Sequence, residues 1–297
     1  MLNRPCSRKM ILVVTIAVLL LFNFYTFALA YPETFRLDGG GRLAKDFSAY
    51  YIGAWRMLHN PSQVYTRGIV SDGEYQVYPQ PQAYKYMPSF LLLVSPLLSL
   101  GYHDAFVVFD AFQFALLPLM ALLLYHLLGK KSFAATFVVT VIVLLPFPLP
   151  HWGPFATYFW QWAEGQAKVF ETFLYLLAFY LGNRGRPHLS GITFAFAAFD
   201  PRFALLSLPL FLLYNRSNLR ASIGSAVGAL LLTDFLLFYP ATGAGFIDMV
   251  LGSGLSTPLY PYALIPLFTL ISLIAVNSNE IVEAFSYSIS RWKRRVG

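Results

Sequence analysis

Between Met10 and Ala30 the chain reads MILVVTIAVLLLFNFYTFALA, with no charged residue. Its length matches the ~20 apolar residues that an α-helix needs to cross ~30 Å of hydrocarbon. Secretory apolar cores run only roughly 7–15 residues. Phe27-Ala28-Leu29-Ala30 before Tyr31 resembles a small-x-small cleavage site, but the length favours a retained span over residues 10–30. Similar runs follow at Met87–Gly101, Ala105–Leu128, Phe133–Pro150, Val169–Gly182, Leu189–Phe199, Phe203–Tyr214, Ala221–Tyr239 and Leu259–Val276. They are continuous rather than alternating, which excludes a lipid-spanning β-barrel. Several are shorter than a full span and broken by Pro or Gly. Such segments sit in membranes as broken or re-entrant helices shielded by protein or a water-filled cavity.

The composition agrees. Of 297 residues, 57% are hydrophobic and 12% charged, whereas soluble domains carry roughly 25% charged residues. The reading is an all-α, multi-pass transmembrane protein with about 7–9 membrane helices. It is one unit over residues 1–297: a first span, a long extracytoplasmic loop over 31–86, a helical bundle over 87–277 and a basic tail over 278–297. A single cysteine, Cys6, excludes an internal disulfide framework and a cysteine metal cage.

The net charge of +7 reports topology rather than nucleic-acid binding. Basic clusters at Arg4/Arg8/Lys9, Lys130/Lys131, Arg184/Arg186, Arg216/Arg220 and Arg291/Lys293/Arg294/Arg295 flank apolar runs with few acidic neighbours. They place both termini in the cytoplasm. The loop over 31–86 mixes both signs and lies outside, since long loops translocate largely regardless of charge. Two crossings between this loop and Lys130 would put Lys130 outside. Either Met87–Gly101 does not cross alone, or Lys130 and Lys131 break the trend. Leu189–Tyr214, interrupted at Asp200-Pro201-Arg202, fits a helical hairpin with its turn on the outer side.

The loop contains LAKDFSAYYIGAW, residues 43–55. Phe47, Tyr50, Tyr51, Ala54 and Leu58 recur at helical spacing. The segment is either an interfacial helix with aromatics at headgroup level or a helix capping the bundle. Asp46 at its start is a helix N-cap, a general base tuned by partial burial and Lys45, or both. Within apolar runs, Asp110, Glu171, Asp200 and Asp234 need partners or a cavity, because an ionised residue at a helix centre costs about 2.5–3.5 kcal/mol on insertion. Glu164 and Lys168 have i,i+4 spacing for a pair, and Asp200 and Arg202 can pair across Pro201. Asp72-Gly73-Glu74 is a weak candidate for a divalent cation and equally describes a solvated turn. His59, His103, His126, His151 and His188 show no zinc spacing. No phosphate-binding Gly-rich loop or serine nucleophile elbow occurs. No cofactor or metal is expected, and the energy for any chemistry must arrive with the substrate.

Several short motifs recur in a familiar order. They are Asp46-x-x-x-Tyr50-x-x-x-Ala54, Asn60-Pro61-x-x-Val64-Tyr65, Tyr84-Lys85-Tyr86-Met87-Pro88-Ser89, Leu93-x-x-Pro96-Leu97, Gly165-Gln166, and Arg184-Gly185-Arg186-Pro187 with Gly191. Together they resemble the GT-C class of polyprenol-phosphate-dependent membrane glycosyltransferases, and most of all glycosyltransferase family 87. Phe199-Asp200-Pro201-Arg202 stands where many members have a lysine followed by proline.

The resemblance implies a GT-C-like fold and a hexosyltransferase, with mannose the favoured sugar. A polyprenyl-phosphate-linked donor would arrive from the lipid bilayer and a lipid or glycan acceptor from the extracytoplasmic side. Asp46 would be the general base of an inverting transfer. Lys85, Arg202, Lys168 and also Arg56 would meet the donor phosphate. Tyr50, Tyr51, Glu164, Gln166 and Asp200 would bind substrate, with Trp55, Trp160 and Trp162 as sugar-stacking candidates. Two other readings are an inactive GT-C-like scaffold, and a lipid or solute transporter using Asp110, Glu171 and Asp234 as a relay.

Overall fold

The computed structural model describes residues 5–34, 44–68, 83–128, 156–249 and 263–283, and every regular element among them is helical. The run Phe133–Pro150, Lys130/Lys131, Asp72-Gly73-Glu74, His151 and the basic residues 291–295 lie outside the described residues, as does the side chain of Lys45.

The first helix, α1, spans Pro5–Thr34 and contains the run over 10–30. Helix α2 is Lys45–His59, followed by a 3-10 turn at Pro61–Gln63. Helix α3, Pro88–Val94, runs into a 3-10 segment at Ser95–Ser99. Then come α4 (Tyr102–Leu128), α5 (Ala156–Ala163), α6 (Lys168–Asn183), α7 (Pro187–Ala197), α8 (Pro201–Tyr214) and α9 (Leu219–Thr233). A 3-10 turn at Phe235–Phe238, α10 (Pro240–Met249) and α11 (Leu264–Val276) complete the described chain.

Helix α6 is the hub, packing against α4, α7, α8 and α11. Its side chains are apolar almost all round, which is the pattern of a buried helix. Helix α1 leans on α5 and α4, and α2 is clasped by α3 and the segment after it. The α7–α9 contact is close because the residues meeting there are small. A Cβ on Gly191 would collide with the Ser222 carbonyl. Beside it, Asn215 Nδ2 donates to Ser190 Oγ at 3.0 Å and Ser222 Oγ donates to Asn215 Oδ1 at 2.7 Å. Small and hydroxyl residues at a helix contact serve close approach where no water drives association. The Arg184-Gly185-Arg186-Pro187 motif is the turn into this contact: Gly185 takes φ +69 and Pro187 starts α7, where a missing N–H is harmless.

Tyr102–Leu128 is long and apolar enough to cross a membrane, and Ile16–Ala30, Pro88–Ser99, Pro201–Tyr214, Leu219–Thr233 and Leu264–Val276 are shorter apolar helices. Large apolar side chains such as Leu21, Leu205 and Leu232 point outward at more than 70% exposure. An outer surface of this kind is costly in water and suits lipid. The segment Pro88–Ser99 is too short to cross ~30 Å of hydrocarbon by itself.

The interfacial placement of residues 47–58 needs correcting. Phe47, Tyr50, Tyr51 and Ala54 are buried, Ser48 and Ile52 on other faces are buried too, and Leu58 is exposed. Helix α2 is therefore inserted under α3 and α4 rather than lying on a surface. Tyr51 donates to the Leu100 carbonyl at 2.6 Å, and Tyr102 donates to the Ala44 carbonyl at 3.0 Å, fixing the helix at its start.

Candidate active site

The site is built on the turn between α5 and α6. Gly165 takes φ +63, and a Cβ there would lie 2.7 Å from Phe47 Cβ and 2.9 Å from the Phe106 ring. Only glycine suits both the left-handed backbone and the close approach. The turn aims the Glu164 carbonyl at the start of α2, where it accepts from Asp46 N–H at 3.0 Å and Phe47 N–H at 3.1 Å. These are first-turn donors that a helix cannot satisfy itself. The N-cap residue is Ala44, in the left-handed region with no side-chain cap. Asp46 is therefore not the N-cap that its sequence position suggests. It sits inside the first turn, where a carboxylate is favoured by the helix dipole, and is partly exposed.

Next in the turn, Gln166 is held from several directions. Its carbonyl accepts from Gln113 Nε2 at 2.8 Å and from Gln161 Nε2. Its side-chain Oε1 accepts from the Tyr50 hydroxyl at 3.3 Å. Gln113 Oε1 in turn accepts from Gln161 Nε2 and from Phe170 N–H, both at 3.3 Å. This buried amide cluster ties α2, α4, α5 and α6 to one point. Asp110, one turn from Gln113, is buried and linked to it at 3.5 Å.

At the start of α6 lies a charge cluster. Lys168 Nζ is 2.7 Å from Glu171 Oε2 and 2.7 Å from Asp200 Oδ2, with all three side chains at most 1% exposed. Asp200 accepts from Arg202 N–H at 3.2 Å and from Arg202 Nε at 2.9 Å and Nη2 at 2.8 Å. Asp200 thus caps α8 and forms the bidentate pair that the guanidinium fork favours. Burial pushes the Asp200 carboxyl up, but Lys168 and Arg202 outweigh it and hold the group well below the usual carboxylate range. Lys168 also lies 4.9 Å from the centre of the Tyr86 ring and 4.8 Å from that of Phe203. Burial raises the Tyr86 phenol above its ordinary value. Among the charges, Lys168 and Arg202 oppose this rise, while Asp200 and Asp46 add to it.

Tyr86 is therefore where the two halves of the site meet. Tyr50 of α2 packs on its ring at 5.7 Å from one side, and Lys168 of the charge cluster lies 4.9 Å from the ring centre. It was legible only as part of the Tyr84–Ser89 motif and was not among the residues singled out for chemistry. Tyr65 donates to the Tyr86 carbonyl at 2.8 Å, and Met87 N–H donates to the Phe199 carbonyl at 2.9 Å. These bonds fix the lead-in to α3 against the Asp200 turn.

The other expected site residues distribute unevenly. Lys168 is a buried, doubly paired ammonium rather than an open phosphate ligand. Its expected i,i+4 geometry with Glu164 is absent because the Gly165 turn breaks the helix between them. The turn at Asp200 is buried within the protein. Helices α7 and α8 both pack on α6. Lys85 is exposed, outside the buried cluster. Arg56 is buried and donates to the carbonyls of Gln63, Thr66 and Gly68, so it holds the 60–68 turn. Tyr50, Tyr51 and Trp162 are buried, and their rings serve packing: Tyr50 meets Phe90 at 5.0 Å and Trp162 meets Phe27 at 6.2 Å. Trp160 is partly buried against the same core, and Trp55 stacks on His59 at 4.3 Å. Asp234 accepts from Ser89 N–H at 2.6 Å, serving the first turn of α3 from a distant part of the chain. Among the described residues no group of three or more His, Cys, Asp or Glu could hold a metal ion.

Compared with known families, residues 84–278 match the profile of glycosyltransferase family 87. The chain belongs to glycosyltransferase family 87. No curated protein and no solved structure matches it. The family 87 match takes in Tyr86, Glu164 to Lys168, Glu171, Asp200 and Arg202. Helices α1 and α2, with Asp46, lie upstream of it. Membership makes the chain a glycosyltransferase, which uses a sugar donor and an acceptor.

Proposed function

We propose that this family 87 member transfers a hexose, with mannose the first to test, from a polyprenyl-phosphate donor to a lipid or glycan acceptor. The reaction takes place on the extracytoplasmic face of the cell membrane, with both termini cytoplasmic, and inverts the anomeric carbon. The acceptor oxygen attacks that carbon, its proton passes to the Asp46 carboxylate, and polyprenyl phosphate leaves with the bonding electron pair. Asp46 is suited to this role because it is partly exposed and its backbone is pinned by Glu164. The phosphate leaves with one more negative charge than it held in the donor, and Arg202 is the cation of the cluster with access to solvent, at 35% exposure. A preorganised donor at that point stabilises developing charge without reorganisation.

The observation that carries this reading is that the α5–α6 turn holds both parts of the site, with the Glu164 carbonyl pinning the backbone of Asp46 and Lys168, just beyond the turn, pairing with Asp200 beside Arg202. Lys168 acts here as a structural charge, holding Glu171 and Asp200 so that Asp200 can orient Arg202. Donor choice tests the proposal. Purified protein in lipid nanodiscs is given radiolabelled mannosyl-phosphoryl-polyprenol or a radiolabelled nucleotide-mannose, each with a crude lipid and glycan acceptor pool. Label transfer from the polyprenyl donor alone supports it. Transfer from the nucleotide sugar alone refutes the donor class.

A further inference from the structure

The charge cluster poses a problem for phosphate binding. Lys168 is paired with Glu171 and Asp200, and Arg202 with Asp200. Both cations are already engaged by carboxylates, and the ammonium is sealed. An anionic phosphate seated here needs neutral hydrogen-bond donors beside Arg202.

Tyr86 supplies one. Its ring is locked by Tyr50 at 5.7 Å, Phe199 at 5.5 Å and the Lys168 ammonium, and its backbone by Tyr65. Its hydroxyl has no hydrogen-bond partner among the described residues, although the hydroxyls of Tyr50, Tyr51, Tyr65 and Tyr84 all donate. The Tyr175 hydroxyl also lacks a partner but is sealed in the core. Tyr86 is only partly buried. A rigidly held, partly buried phenol whose O–H has no partner among the described residues, packed beside a charge cluster, is arranged for a ligand oxygen. We propose that the Tyr86 hydroxyl donates to a phosphate oxygen of a polyprenyl phosphate, beside Arg202. This rests on the donor class proposed above.

The test measures binding, so it does not depend on knowing the sugar or the acceptor. Full-length protein in phosphatidylcholine nanodiscs is titrated calorimetrically with farnesyl phosphate, and with farnesol as the uncharged control. Tyr86→Phe keeps the ring and its packing, and its thermal unfolding midpoint is expected to equal that of wild type. Loss of a hydrogen bond to a charged group should weaken farnesyl phosphate binding by about ten- to a hundredfold and leave farnesol binding unchanged. Equal farnesyl phosphate affinity in Tyr86→Phe and wild type overturns the role of Tyr86 and leaves the donor class standing. Equal losses for farnesyl phosphate and farnesol also overturn it, since that is the mark of a damaged lipid groove. Failure of the wild type to bind farnesyl phosphate above farnesol refutes the donor class, and this inference with it.

Discussion

Gly165→Ala tests whether the α5–α6 turn organises the site. The residue sits at φ +63, where an L side chain costs about 1–2 kcal/mol. Its Cβ would also lie 2.7 Å from Phe47 Cβ and 2.9 Å from the Phe106 ring. Both neighbours are buried and cannot swing clear, so overpacking adds about 1–3 kcal/mol. The expected loss is about 2–5 kcal/mol, which in a chain of this size lowers the unfolding midpoint by roughly 5–15 °C. Gly185→Ala is the internal control. Gly185 has φ +69 but nothing within 4 Å of its Cβ, so only the backbone component applies there. Thermal unfolding in nanodiscs gives the difference between the variants. Hydrogen exchange at the Asp46 and Phe47 amides reports whether the bonds to the Glu164 carbonyl have loosened. If Gly165→Ala unfolds at the same temperature as Gly185→Ala and those amides exchange as in wild type, the turn does not position α2.

Three further outcomes follow from the described contacts. Lys168→Met leaves Glu171 and Asp200 buried without their ammonium and should cost about 3–5 kcal/mol, read as a lowered unfolding midpoint, while Lys168→Met with Glu171→Gln recovers part of it. Asp234→Ala removes the acceptor for Ser89 N–H and should cost about 0.5–2 kcal/mol, whereas Asp234→Asn keeps an acceptor and stays close to wild type in the same assay. The depressed folded-state pKa of Asp200 contributes stability that is fully present above the ordinary aspartate value of 3.8. That contribution is lost as pH falls through the folded value, so the acid limb of wild-type stability below about pH 4 should be flatter in Asp200→Asn.

The helices were legible in the sequence wherever apolar residues run without a break. Residues 102–128, 168–183, 201–214 and 219–233 form helices close to the apolar runs, because composition alone commits such segments to burial or lipid. The family was legible too, since Gly165-Gln166 and Arg184-Gly185-Arg186-Pro187 encode backbone geometry that local sequence reports. What sequence could not show is how charges pair across the chain. Lys168 has Glu164 at helical distance, yet one left-handed glycine ends that helix and turns the ammonium to Asp200, 32 residues away. Asp234 reads as a lone intramembrane acid and proves to serve an N–H 145 residues away. The aromatics of α2 read as an interfacial face, because helical spacing tells which residues share a side but not that neighbours cover the other sides as well. Tyr86 was overlooked for the same reason: its significance comes from α2, α6 and α8 meeting around it.

The assignment of Asp46 as general base is most directly tested by single-turnover transfer from radiolabelled mannosyl-phosphoryl-polyprenol, comparing wild type with Asp46→Asn. Asparagine preserves the backbone bonds to Glu164 and the size of the side chain but cannot take the acceptor proton. Loss of general-base assistance should slow transfer by about 10²–10⁴-fold, with donor binding and the unfolding midpoint unchanged. Transfer by Asp46→Asn at the wild-type rate would contradict Asp46 as the base.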